Sequence, residues 1–380
     1  MLCPPGRTVV AMPPMSKIPI SGLTSAQMYA EARRLLPRGA GAARALYRKA
    51  LCEGRFEPEA PEFGLAPTTA EDLRRNFELR LPETVQVIEE AGERGITAKQ
   101  VLRLHDGLEV ESVLLPMGRD RTTLCISSQV GCKMGCRFCQ TGRMGLLRQL
   151  TASEIIAQLL VARHHQRWPV RNLVFMGMGE ALDNPEALLQ ALAVLTDPGG
   201  LSIGQERITV CTVGHAEGIA RLAAAGYRRL NLSVSLNAAD DALRSRLMPI
   251  NRRTPLAQLQ QSLVTYRPRD NFTLGINYCL LPGLNDRPED ARAVADFCAP
   301  LGRVMVHVIG YNPGDVPLTR APSTTEVDRF IGWLREAGLP VRRRITKGQS
   351  VMAACGQLGN VELRRRRSKD PSKAALKAGS

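Results

Sequence analysis

"TTLCISSQVGCKMGCRFCQTGRMGL", residues 122–146, places Cys125, Cys132, Cys136 and Cys139 within fifteen positions. The chain has 380 residues and ten cysteines, and the other six are scattered: Cys3, Cys52, Cys211, Cys279, Cys298 and Cys355. Spacing this uneven is not a disulfide framework, and a tight group of thiols points instead to metal or redox chemistry in a reducing compartment.

Cys132, Cys136 and Cys139 form a CxxxCxxC triplet. Three thiolates bind three irons of a four-iron cube and leave the fourth open to a ligand, whereas structural zinc sites mostly use four ligands in paired CxxC spacing. The pattern favours a [4Fe–4S] cluster, with a zinc site that draws a distant fourth ligand as the alternative.

Outward from the triplet, strand and helix patterns alternate. Strand-like runs cover 123–128, 172–176, 208–213, 230–236, 273–281 and 304–310, and helical runs cover 152–166, 185–196, 216–225, 255–266, 288–299 and 324–337. Thr151 followed by Glu154 predicts a capping box at the first helix. Six βα units in succession predict an α/β fold, a parallel sheet curled into a partial (βα)6 barrel. In such folds chemistry gathers at the carboxyl ends of the strands. The unusual residues fall there: the cysteine triplet, Gly177 to Glu180, Cys211 to Gly214, Ser235 to Asn237, and Asn312.

Before the alternating region, residues 1–20 are Pro-rich and expected to be disordered, and 21–95 read as a small basic helical domain. Residues 96–121 read as connector strands, 122–358 as the barrel core, and 359–380 as a basic, disordered tail. The formal charge is +15, and residues 356–380 supply five of it through seven Lys/Arg against Glu362 and Asp370. Fixed cations gain affinity by displacing counterions from phosphates, so nucleic acid is the expected partner. No apolar run reaches the roughly 20 residues of a membrane span, and no secretory h-region opens the chain, so a cytoplasmic, membrane-free protein is expected.

Taken together, "CISSQVGCKMGCRFCQTGRMGLLRQLTASEI", "VFMGMGEALDN", "MPINRR", "VDRFIGWLREAGLPV" and "AACGQL" resemble the RlmN/Cfr family of radical S-adenosylmethionine RNA adenine methyltransferases. The resemblance spans about residues 20–360 and implies a [4Fe–4S] cluster on Cys132, Cys136 and Cys139, with S-adenosylmethionine as second cofactor. It implies that Cys355 accepts a methyl group and later carries it as a carbon radical to an adenine ring carbon, C2 rather than C8. Cys125 then releases the product by forming a disulfide with Cys355, and Glu111 takes the ring proton. Gly179, Glu180, Cys211, Ser235, Leu236, Asn237 and Asn312 match the cofactor-binding positions. Ribosomal or transfer RNA is the implied substrate, an electron donor the implied partner, and a monomer the expected state. C8 methylation, a related radical enzyme acting on another RNA or a non-RNA substrate, and a zinc-stabilised RNA-binding module without catalysis are the alternatives.

The chain departs from the family pattern at Cys211 (usually serine), Asn237 (usually histidine), Ala181 (usually proline) and "TKGQS", residues 346–350, where "TRG" and an acidic residue are usual. Cys52, Cys279 and Cys298 sit in apolar patterns and read as core. The five histidines show no metal-ligand spacing and read as surface or core, and Trp168 and Trp333 as structural.

Overall fold

The computed structural model describes residues 17–118 and 121–360. In chain order it begins with β1 (Ile18–Pro19), α1 (Ser25–Leu35), α2 (Ala43–Glu53), α3 (Pro67–Asn76) and β2 (Phe77–Glu78). There follow β3 (Glu83–Gly92), β4 (Gly95–Arg103), β5 (Glu109–Pro116), β6 (Thr122–Cys125), β7 (Gln129–Cys132), α4 (Gln140–Met144) and β8 (Gly145–Gln149). The alternating part continues with α5 (Ala152–Leu160), β9 (Asn172–Phe175), α6 (Pro185–Thr196), β10 (Ile208–Thr212), α7 (Ala216–Ala224) and β11 (Asn231–Ser235). It closes with α8 (Asp241–Leu247), α9 (Leu256–Thr265), β12 (Leu274–Leu280), α10 (Pro288–Cys298), β13 (Val304–Gly310), α11 (Thr324–Glu336) and β14 (Val341–Arg344).

Ten strands make one sheet in the order β14-β13-β12-β11-β10-β9-β6-β5-β4-β3. From β6 to β14 all pairs are parallel, and β5, β4 and β3 extend the ladder antiparallel. The sheet is strongly curved. Laid flat, ten strands would span roughly 43 Å at about 4.8 Å per step. Yet Gly348, four residues after β14, donates its N–H to Glu90 on β3 at 2.7 Å, and four residues reach only about 14 Å. The segment after β14 therefore bridges the two outermost strands and completes a barrel-like wall.

The α/β reading holds, with the capping box of Thr151 and Glu154 opening α5. Three local expectations change. Residues 83–92, grouped with the helical region, are a strand, because Thr84, Val85, Val87 and Ile88 favour a pleated backbone and the turn to Gly95 pairs them with β4. The connector 96–121 is not a separate linker, since β4 and β5 are integral to the sheet. A seventh parallel strand, β14, follows the sixth unit; three of its four residues are arginine, which hides it from an apolar pattern.

The turn Ile20–Gly22 packs against α5 and α6, and α1 packs on α2, within one continuous apolar core that runs from Ile20 to Leu358. Ser21 and Ser153 share a hydrogen bond at 2.7 Å, and Ser25 Oγ donates to Asp197 at 3.0 Å. Of the stretch expected to be disordered, Ile18 and Pro19 pair with Phe77 and Glu78. Residues 1–16 and the tail beyond residue 360 lie outside the described residues.

Candidate active site

Alternation along the parallel strands sorts side chains into two sets. On β12, Ile276, Tyr278 and Leu280 are buried against the helices, while Asn277 and Cys279 face the barrel interior. The same rule turns Cys211 on β10, Ser235 on β11, and His307 and Ile309 on β13 inward. These residues line two adjoining cavities of about 900 and 1580 Å3, mouths included.

At one side of the first cavity stands the cysteine triplet. Cys132 ends β7, which pairs with β8 in a short hairpin. Gly131 has φ 78°, and a Cβ there would sit 1.8 Å from the Gly145 carbonyl oxygen, so only glycine allows this approach. Cys136 and Cys139 follow in the loop and line the cavity, with the Cys139 N–H donating to the Cys136 carbonyl at 3.1 Å. Burial raises the thiol of Cys132 to about 12 and lifts Cys136 and Cys139 as well; repulsion from neighbouring thiols adds to this, from Cys139 on Cys132, from both on Cys136, and from Cys355 on Cys139. A cationic cluster reverses that logic by holding the thiols deprotonated. Among the described residues no three His, Cys, Asp or Glu side chains converge as one metal ion requires. Three thiolates in this spacing are the donor set that binds three irons of a four-iron cube and leaves the fourth open.

Opposite the triplet, Glu180 is 2% exposed. Its carboxylate accepts N–H bonds from Leu182 at 3.1 Å and Val213 at 2.8 Å, and its own N–H donates to Gln129 Oε1 at 2.8 Å. Burial outweighs these bonds and raises the group to about 7. Gly179 has φ 102°, and a Cβ there would meet the Gln129 side chain at 2.6 Å. Ser235 and Asn237 line the cavity, and Asn237 Oδ1 accepts from the Cys279 N–H at 2.9 Å. Leu236 is fully buried and does not line the cavity; its carbonyl accepts from Arg244.

Two residues here had not been singled out. Asn277 donates to Cys211 Sγ at 3.2 Å and Ser233 Oγ at 3.1 Å, while its Oδ1 is buried without a partner. An unfilled acceptor on a cavity wall fits a ligand that brings an N–H or O–H. Arg244, fully buried, donates to the carbonyls of Leu236, Val213 and Ser235 and to Asn251 Oδ1, tying together the ends of β10 and β11. The polar positions alternating with apolar ones in ITVCTV, LNLSVSL and INYC are the signal that marks the inward wall.

The second cavity is basic. Arg94, Arg121, Arg342, Arg343, Arg344 and Lys347 line it, together with Cys125, His307 and Asn312. Burial and the flanking Arg344 and Arg342 lower His307 to about 4, so its ring is neutral. Cys125, the last residue of β6, is buried, and that burial lifts its thiol well above the usual range. Cys355, by contrast, is exposed, and it lines both cavities. Its carbonyl accepts from Asn312 Nδ2 at 3.2 Å. Glu111 on β5 lines neither cavity. It lies beside the C-terminal segment, where Gly359 N–H donates to its carboxylate at 3.2 Å, and burial raises it above the usual carboxylate value. Of the remaining cysteines, Cys298 is core as expected. Cys52 is not core but exposed near the end of α2, its thiol donating to the Gly200 carbonyl at 3.4 Å, and Cys279 faces the first cavity.

Residues 126–298 match the radical SAM superfamily. A probable dual-specificity RNA methyltransferase RlmN 1 of Protochlamydia amoebophila is 45% identical over 273 residues, covering 72% of this chain and 76% of the relative. The dual-specificity RNA methyltransferase RlmN of Geotalea uraniireducens is 39% identical, covering 80% and 87%. The chain belongs to the RlmN family of radical SAM RNA methyltransferases. A crystal structure of a radical SAM methyltransferase from Sphaerobacter thermophilus matches with TM-score 0.82 and 34% identity over 90% of this chain and 98% of that one. The family's cofactors are a [4Fe–4S] cluster and S-adenosylmethionine, and the first cavity of this methyltransferase has thiols, a carboxylate and an unfilled acceptor to receive them. No helix among the described residues is long and apolar enough to cross a membrane.

Proposed function

We propose that this chain methylates an adenine ring carbon, C2, in ribosomal and transfer RNA through S-methylated Cys355. The observation that carries the reading is the position of Cys355 on the shared wall of two cavities, one with the thiol triplet and Glu180, the other lined by arginines. A thiol there can meet a cofactor from one side and an RNA base from the other. The relatives named dual-specificity RNA methyltransferases support both RNA classes.

When bound, the cluster and S-adenosylmethionine supply a 5′-deoxyadenosyl radical. Cys132, Cys136 and Cys139 hold the cluster, while Glu180 pairs with the cofactor's ammonium beside the open backbone of Gly179. Cys211, Ser235 and Asn237 complete the cofactor's wall; Leu236 acts through its backbone, and Asn312 fixes the Cys355 backbone. Cys355 carries the methyl carbon to the extruded base. Glu111 accepts the ring proton, and Cys125 attacks the Cys355 sulfur, forming a disulfide as the carbon–sulfur link breaks. An external electron donor reduces the cluster and resets the thiols. The enzyme acts as a monomer in the cytoplasm, since one chain holds every residue required. The arginine-lined cavity, the helical N-terminal region and the basic tail contact phosphates.

The test is mass spectrometry of the Cys355 peptide and of nucleosides from purified ribosomal and transfer RNA, with native, Cys355→Ala and Cys125→Ala proteins. Expected are S-methylcysteine at Cys355, 2-methyladenosine in both RNA pools, no product with Cys355→Ala, and a retained covalent RNA adduct with Cys125→Ala. Methylation by Cys355→Ala refutes the route, and 8-methyladenosine corrects the carbon.

A further inference from the structure

Lys99 is a buried cation that no step above uses. Its side chain is 8% exposed, and an ammonium this far from water is costly unless partners satisfy it. Its Nζ lies 3.8 Å from Glu111 Oε2 and donates to the Met352 carbonyl at 3.2 Å. The same Glu111 oxygen accepts from the Gly359 N–H at 3.2 Å. Segment 352–359, with Cys355 inside it, is thus fixed at both ends to a single ion pair, Met352 through the cation and Gly359 through the anion. Met352 has φ 51°, a left-handed backbone that a long side chain rarely adopts, so its carbonyl is held in place by contacts rather than by local preference. Between these ends the Cys355 carbonyl accepts from Asn312 at 3.2 Å, the Gly356 carbonyl from the Gln140 N–H at 2.7 Å and the Leu358 carbonyl from Thr141 at 2.5 Å, while Gln357 donates to the Pro313 carbonyl at 2.9 Å; Glu90 holds Gly348 and Ser350 upstream.

We propose that Lys99 is a positioning residue for methyl transfer: its ammonium bridges the Glu111 carboxylate and the Met352 carbonyl, setting the proton acceptor and the Cys355 segment in one geometry. The inference rests on the roles proposed for Glu111 and Cys355. The charged groups acting on Glu111 are Lys99 from β4 and Glu109 on its own strand, with the Gly359 N–H from the C-terminal segment. Glu109 is itself paired with Arg103 at 3.3 Å. Lys99 favours the ionised carboxylate and Glu109 opposes it. Removing the ammonium therefore leaves a carboxylate that holds its proton to higher pH. A base must be ionised to accept, so the acidic limb of activity moves to higher pH as well.

The experiment uses the full chain with its cluster reconstituted under nitrogen, as native, Lys99→Arg, Lys99→Met, Glu111→Gln and the Lys99→Met/Glu111→Gln double variant. Amide hydrogen exchange over residues 350–360, without RNA, reads the tether independently of activity. Lys99→Met is expected to speed exchange there roughly tenfold, as loss of one charge-assisted hydrogen bond implies. The acidic limb of its RNA methylation rate is expected to rise by about one pH unit or more, given the close charge pair. Lys99→Arg restores both toward native. Glu111→Gln also speeds exchange, and the double variant gains less than the sum of the singles, because both cut the same bridge. Unchanged exchange together with an unmoved limb in Lys99→Met, whatever its rate, overturns the proposal and leaves Lys99 a packing residue. Additive exchange effects overturn it too. Should Lys99→Met fail to fold, Lys99→Gln replaces it. An unmethylated Cys355 in the native enzyme would refute the catalytic reading, while exchange would still judge the bridge.

Discussion

Glu180→Gln should gain stability relative to the native chain as pH rises and weaken the cofactor complex at once. The carboxyl is raised from about 4.5 to about 7 by burial, despite two backbone N–H donors. An acid raised in the folded state contributes stability fully below about pH 4.5, and that contribution is lost as pH rises through about 7. At pH 8 the ionised group therefore costs the cofactor-free chain about 3 kcal/mol, at about 1.36 kcal/mol per unit. Glutamine is neutral and of the same shape but keeps one acceptor oxygen for two N–H donors, so the donor left unpaired offsets about 1–3 kcal/mol of the gain at every pH; relative to native, the variant should gain about 2 kcal/mol between pH 5.5 and pH 8. Urea unfolding without cofactor at pH 5.5 and 8 reads this directly. Binding should change in the opposite sense. Losing a charged partner for the cofactor ammonium removes about 1.5–3 kcal/mol, or roughly 10- to 150-fold in Kd. Native affinity for S-adenosylmethionine should fall about tenfold from pH 8 to pH 6 as Glu180 protonates, while the variant's stays flat over that interval. A stability difference between variant and native that is the same at pH 5.5 and pH 8, or a variant that binds as tightly as native, refutes the reasoning.

Gly179→Ala should abolish cofactor binding and destabilise the fold by more than about 2 kcal/mol, because the backbone is left-handed and the new methyl would strike Gln129; equilibrium dialysis and thermal unfolding check both. Arg244→Met should destabilise by about 3–5 kcal/mol, since several carbonyls and Asn251 lose their shared donor; chemical unfolding measures it. Arg342→Ala and Lys347→Ala, both on the wall of the basic cavity, should each weaken RNA binding uniformly across sequences. Each should also reduce the slope of log K against log salt by about one.

Why the cysteine triplet and the βα alternation were legible, while the antiparallel extension was not, comes down to range. A thiol triplet and a capping box such as Thr151 with Glu154 are local, so spacing alone reveals them. The strand Glu83–Gly92 follows three helices and is largely exposed, so no alternating burial separates it from a surface helix. What defines it is pairing with β4. Strand β14 is hidden for a related reason: Arg342, Arg343 and Arg344 face a cavity and solvent, and an apolar template cannot see them. Lys99 and Arg244 were invisible because a basic residue in sequence carries no mark of burial, and only the assembled wall shows what each one bridges.

The departures from the family pattern become intelligible at the same scale. Asn237 holds φ 57°, a region that asparagine and histidine both tolerate better than most residues, so the exchange preserves the backbone turn after β11. Its side chain then bonds the Cys279 N–H, joining the ends of β11 and β12. Cys211 keeps a hydrogen bond from Asn277, although sulfur accepts more weakly than a serine oxygen would. Asn277 donates to Cys211 and Ser233, and its buried Oδ1 is left without a partner. Residues 346–350 lie elsewhere, clamped to Glu90 across the closing edge of the barrel and flanking the basic cavity. On the proposed reading, the substitutions at Cys211 and Asn237 bear on how the cofactor is seated, and those in "TKGQS" on how the Cys355 segment and its RNA are held. The first set lines the cavity of the thiol triplet and the second flanks the basic cavity, and Cys355 lines both.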